Sequence, residues 1–196
     1  MKKSWIIIAL IVIFIVLAYS WFKGTYNDMV SRQEAVKAQW SQVENVYQRR
    51  ADLIPNLVNT VKGYATHEKE TLQGVIEARA KATSVNVDAG QLNPKTLQNF
   101  QQAQEGLSSA LSRLMVVVER YPDLKANQNF LELQAQLEGT ENRIATERRR
   151  FNQMTQSYNT YVKTFPKNML ANMFGFKEMP YFKAQKGAEK APEVKF

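Results

Sequence analysis

From Trp5 to Phe22 the chain reads WIIIALIVIFIVLAYSWF, with no charged side chain. As an α-helix this run is about 27 Å long, close to the ~30 Å hydrocarbon core of a bilayer. Trp5 stands at one end and Trp21 and Phe22 at the other, where aromatic side chains anchor a span at the lipid–water boundary. Met1-Lys2-Lys3 has the form of a cleaved signal's charged start. The apolar run exceeds the usual length of such a signal, however, and AYSWFKG offers no small-x-small cleavage site. Residues 1–22 therefore read as an uncleaved signal-anchor. Lys2 and Lys3 crowd one flank while Lys23, Arg32 and Lys37 are spread over the other, so the positive-inside rule puts the body on the extracytoplasmic side.

Beyond Gly24 the apolar periodicity is helical. Val36, Trp40, Val43, Tyr47, Ala51, Ile54, Val58, Val61 and Ala65 recur at about 3.6 residues. Pro55 falls inside this stretch and predicts a kink. A second helix is expected from Thr66 as N-cap, with Glu68 and Glu70 in its first turn. Asn93-Pro94 opens a third, carrying Leu97, Phe100, Gln104, Leu107, Leu111, Leu114 and Val118 up to Tyr121-Pro122. A fourth runs through Phe130, Leu137, Ile144, Phe151, Met154, Tyr158 and Tyr161 to Phe165-Pro166, at about the 3.5-residue coiled-coil period. Four such segments joined by short loops predict an elongated up-down-up-down bundle.

The composition removes most familiar chemistry. With no cysteine there are no disulfides, thiolate metal sites or cysteine nucleophiles, and with His67 as the one histidine no site can draw two imidazoles from a single chain. His67-Glu68-Lys69-Glu70-Thr71 starts like a zinc-protease HExxH helix but has Thr71 where the second ligand belongs. Eight glycines and six prolines are fewer than a turn-rich β protein needs. The net charge of +8 comes from 26 basic and 18 acidic residues dispersed along the chain, too diffuse to imply nucleic acid. No phosphate-binding loop or nucleophile elbow accompanies the carboxylates, so no catalytic residue and no cofactor is expected.

Two groups of residues stand out. Arg49 or Arg50 in the first helix is expected to pair with Glu141 or Glu147 in the fourth to set helix register, with Asp52 in the same cluster facing the fourth helix's arginines, against the alternatives of a solvated charged face or a ligand site. The C-terminal segment interleaves Phe174, Phe176, Tyr181 and Phe182 with lysines. Helix parity returns it to the membrane end, where these rings are expected to join Trp5, Trp21 and Phe22 as interface anchors, or else to cap the bundle.

Several blocks resemble the LemA family: RRADLIPNLVNTVKGYATHE from Arg49 to Glu68, EARAKA from Glu77, YPDLKANQNFLELQAQLEGTENRIATERRRFN from Tyr121 to Asn152, and YNTYVKTFP from Tyr158. The resemblance extends to the closing PEVKF, with one departure, Phe151 where the family has tyrosine. It implies a bacterial single-pass membrane protein with an elongated helical body and no assigned catalysis.

The expectation is an all-α protein with a signal-anchor at 1–22, a bundle at 23–166 and a basic aromatic tail at 167–196. It would be a non-enzymatic membrane scaffold that self-associates and touches lipid. The second reading is an adaptor for a membrane peptidase or other envelope machinery.

Overall fold

A computed structural model describes residues 2–183, with side chains from Ser4 onward; the last thirteen positions, PEVKF included, lie outside the described residues. The elements are α1 (Lys2–Tyr64), α2 (Lys69–Ser84), a 3-10 turn (Ala89–Gln91), α3 (Pro94–Val118), the short α4 (Pro122–Lys125), α5 (Gln128–Lys163) and α6 (Lys167–Phe174). The apolar run and the first bundle segment thus form one helix of 63 residues, unbroken at Gly24 and Pro55. Its N-terminal part is long and apolar enough to cross a membrane. Every side chain from Ser4 to Trp21 is exposed, so this part takes nothing from the body's core.

α5 lies antiparallel along α1. The bonds Tyr161–Asp28, Arg32–Ser157, Gln39–Glu147, Arg50–Glu141 and Asn127–Tyr64 join residues separated by 133, 125, 108, 91 and 63 positions, a ladder that closes steadily toward the distal end. The α2–α3 hairpin packs on this pair. Its turn is fixed by Asn93, which accepts from the Lys95 and Thr96 amides while Thr96 Oγ1 accepts from the Asn93 amide, a reciprocal cap with Pro94 at the first helical position.

The interior is two apolar cores. The one nearer the apolar end holds Met29, Val36, Trp40, Val43 and Tyr47 of α1 with Phe100, Ile144, Phe151 and Tyr158. The distal one holds Ile54, Leu57, Val58 and Val61 with Leu72, Leu107, Leu114, Phe130 and Leu137. Arg50, Gln104 and Thr140 lie between them, all buried.

Three sequence expectations need correction. α2 begins at Lys69 with Glu68, not Thr66, at its N-cap, and no side chain caps it. The buried stripe of α5 keeps the seven-residue spacing at Phe130, Leu137, Ile144, Phe151 and Tyr158 but shifts at the positions between them near its end: Met154 is exposed, while Thr155, Asn159 and Val162 are buried. A straight helix drifts about 20° per heptad from a 3.5 repeat, which carries the stripe to these neighbours. Finally, residues 167–183 are packed on the bundle, and Phe182 is 5 % exposed in the first core. It contributes to packing and not to a membrane-interface anchor, because the chain reverses at Gly175 and returns along α5.

Candidate functional site

The layer between the cores is built around one cation. Arg50 is 1 % exposed. Its Nη1 donates to Glu141 Oε1 at 2.6 Å and to Ser108 Oγ at 2.9 Å. Its Nη2 donates to Gln104 Oε1 at 2.6 Å, and Gln104 Nε2 donates onward to the Ala82 carbonyl at 3.2 Å. The guanidinium also lies 5.1 Å from the Tyr47 ring centroid. Burial pushes the Tyr47 hydroxyl above its ordinary range, opposed by Arg148 and Arg50. One side chain thereby ties together α1, α2, α3 and α5. Glu141 is 47 % exposed, so the carboxylate keeps water while the cation does not.

A second polar contact lies one turn away. Pro55 has no N–H to offer the Ala51 carbonyl, the acceptor four residues earlier in α1. Arg79 of α2 supplies the missing donor, its Nε lying 2.7 Å from the Ala51 oxygen. A neighbouring helix thus replaces the bond lost where α1 passes through the proline.

The third feature is the bound tail. After α6, Gly175 takes the left-handed conformation at φ 75°, which a residue with a Cβ reaches only with strain. The chain then runs back extended over α5, held by two asparagines. Asn159 donates to the Met179 carbonyl and accepts from the Met179 amide, each at 2.9 Å. Asn152 does the same for Phe182, at 3.0 and 2.9 Å. The spacings agree: the asparagines are two helical turns apart, about 10.5 Å, and the residues they hold span about 10 Å of extended chain. Arg148 and Gln101 both donate to the Lys183 carbonyl. Phe182 stacks on Trp40 at 5.9 Å and meets Phe151 edge-on at 5.3 Å. Tyr158 donates to the Lys177 carbonyl, and burial raises its hydroxyl pKa.

Of the ion-pair candidates, the fold brings together Arg50 and Glu141. Arg49 is exposed; Asp52 is exposed and accepts from Gln48 within α1. Glu147 accepts from Gln39 and pairs with Arg150 on its own helix. Of the proposed anchors, Trp5, Trp21 and Tyr181 are exposed. Phe22 meets Phe174 edge-on at 5.6 Å, and Phe174 and Phe176 flank Tyr26 at 5.0 and 5.6 Å. Sequence reasoning missed Arg79, Asn152 and Asn159. Proline with an arginine on the next helix, and two asparagines seven apart on a buried face, were the available signals.

The remaining surface offers an open cleft of about 950 Å³ between α1 and α2 at the distal end, lined by Val58, Leu72, Ile76 and Gly74 among others. Half-buried Glu44 has its carboxyl pKa raised by burial, lowered by the Trp40 indole and raised again by Asp88. Among the described residues no group of three His, Cys, Asp or Glu side chains is placed to hold a metal ion.

Among the described residues, Ser4 to Trp21 of α1 form a long stretch of helix exposed on every side. These features define an all-α bundle protein extended at its N-terminus by a helix of membrane-crossing length. The chain belongs to the LemA family, whose sequence profile matches residues 39–196. It is similar to the magnetosome protein MamQ 1 of Paramagnetospirillum magneticum, 30 % identical over 80 % of this chain and 64 % of that protein. Magnetosome protein MamQ of Magnetospirillum gryphiswaldense is 28 % identical over the same shares. Protein LemA of Metamycoplasma hominis is 25 % identical over 85 % of this chain and 72 % of its own length. The chain thus spans less than two thirds of the length of the MamQ relatives.

Proposed function

We propose that this protein is a membrane-anchored, non-enzymatic scaffold of the bacterial envelope that acts through its surface and self-associates. The observation that carries this reading is the continuity of α1: the apolar span and the bundle's longest helix are one element. A body attached this way is held at a fixed attitude to the bilayer instead of swinging on a linker, which suits a spacer or assembly unit. Support for self-association comes from apolar side chains left open toward the distal end, Ile76 at 46 %, Val116 at 71 % and Leu131 at 45 % exposure. Single apolar residues on a surface are ordinary, but three of them at one end of the bundle, with Ile76 lining the open cleft there, suit a contact face. The body stands on the extracytoplasmic side, following the flanking lysines.

The test is the mass of the detergent-solubilised full chain by light scattering. A homogeneous assembly that Val116→Glu with Leu131→Glu reduces to monomer supports the scaffold. A monomer that copurifies with a membrane peptidase instead supports the adaptor reading.

A further inference from the structure

At the end of the bundle next to the apolar span, α6 shows two unlike faces. Leu170 and Ala171 are buried against the body. Met169 and Met173, one turn apart on the other side, are 62 % and 67 % exposed, and Phe165 just before the helix is 76 % exposed. The height of this face is fixed by contact. Phe174 meets Phe22, the last residue of the apolar run, at 5.6 Å, and Tyr26 one turn later at 5.0 Å. Trp21, 47 % exposed, stands at the same level.

We infer that α6 with Phe165 is a membrane-surface foot, whose Phe165, Met169 and Met173 enter the boundary between headgroups and acyl chains. This rests on reading Trp5–Phe22 as membrane-crossing. If that run is in the bilayer, its last ring lies at the boundary, and a helix packed on that ring meets the same lipid. Large unbranched and aromatic side chains suit a boundary that is apolar below and wet above. Lys163 and Lys167 flank the face; Lys167 covers the Tyr161 ring at 3.8 Å and Lys163 pairs with Glu178, which keeps both cations beside the face, where anionic headgroups would draw them. The chosen occupant is lipid rather than a second copy because Phe174 ties α6 directly to Phe22, the last residue of the apolar run, so the exposed face stands where that run ends. The foot differs from the anchor set expected from sequence: Phe182 is withdrawn into the core, and Phe165, Met169 and Met173 take the exposed places.

The chain has no cysteine, so single-cysteine variants of the full protein report position directly. Met169→Cys and Met173→Cys would each carry an environment-sensitive fluorophore, in vesicles of phosphatidylcholine and phosphatidylglycerol. Leu17→Cys marks the span and Gln73→Cys the distal end. Brominated lipid should quench the two α6 labels about threefold more than the Gln73 label, and iodide should reach them less. Quenching by iodide alone overturns the foot while a lipid-quenched Leu17 label leaves the span reading intact. Labels at 169 and 173 that neither quencher reaches are covered by protein and overturn it equally. A Leu17 label open to iodide removes the span reading, and the foot with it.

Discussion

Arg50 is the residue on which the interior turns, and its pair is asymmetric. The cation is 2 % exposed at the side chain and its carboxylate partner 47 %. Removing Glu141 leaves a buried charge with only neutral acceptors, whereas removing Arg50 leaves a carboxylate that water solvates. A buried charge stripped of its partner costs ~3 kcal/mol or more, while replacing the cation by an apolar side chain removes that charge and leaves the buried Gln104 Oε1 without its donor, which costs about 1 kcal/mol or more. Gln104 and Ser108 retain some bonding when Glu141 is lost, which lowers the first figure. Glu141→Ala is therefore expected to cost about 2 kcal/mol, and Arg50→Met about 1 kcal/mol for the Gln104 acceptor it orphans, in urea unfolding of the detergent-solubilised chain. Equal costs for the two variants would show that the Coulomb attraction, not cation desolvation, governs the layer. The pairing was half legible in sequence, where Arg50 and Glu141 were both candidates together with Arg49, Asp52 and Glu147. Which arginine turns inward depends on the face α1 presents to α3, and helix period alone does not resolve two adjacent residues. Gln104 was read only as one more member of the third helix's stripe, because periodicity marks a position as buried without saying that a cation requires it.

Elements were easier to read than their exceptions. The four long helical segments, the Asn93-Pro94 start and the antiparallel arrangement follow from apolar spacing and helix punctuation, signals that act locally. The return of the tail along α5 did not, because an extended strap bound by side-chain amides has no period of its own. Helix parity brought the start of the tail back to the level of Phe22, though not as a helix, and it could not foresee the reversal at Gly175 that carries Phe182 up to Trp40. Pro55 is the clearest exception within an element. Sequence predicts a kink there; α1 continues as helix through Pro55, and Arg79 bonds the Ala51 carbonyl that the proline leaves without its donor. The two residues should therefore be energetically coupled. Arg79→Met alone leaves that carbonyl without its donor and is expected to cost about 1–2 kcal/mol. In a Pro55→Ala background the restored amide bonds Ala51, and the same Arg79→Met change should cost less than about 0.5 kcal/mol. A double-mutant cycle by chemical denaturation measures the difference. Additive costs would mean that Arg79 stabilises α2 by other contacts and that the proline's carbonyl is satisfied without it.

At the scale of the molecule, the question is where the fold ends and the tether begins, given that one helix contains both. Side chains from Ser4 to Trp21 are exposed, and Phe22 is the first to pack on the body through its partly buried ring against Phe174. A cut placed before Phe22 thus removes no core contact, although it interrupts a continuous helix. The new N-terminus leaves amides that water can satisfy, and the helix that remains is held by packing against α5 and α2 rather than by its own propensity. Deleting residues 1–21 should then release a body into the soluble fraction with its melting temperature within about 4 °C of the full chain in the same detergent, a difference of less than about 1 kcal/mol. Phe22→Ala in that shortened body is a different matter. It withdraws one side of the Phe174 contact and should cost about 1–2 kcal/mol, loosening α6 before the cores. Circular dichroism reports the helices, and hydrogen exchange at Leu170 and Ala171 reports α6. If the 1–21 deletion itself melts the bundle, the apolar helix is part of the folding unit, and the boundary belongs inside the span rather than at Phe22.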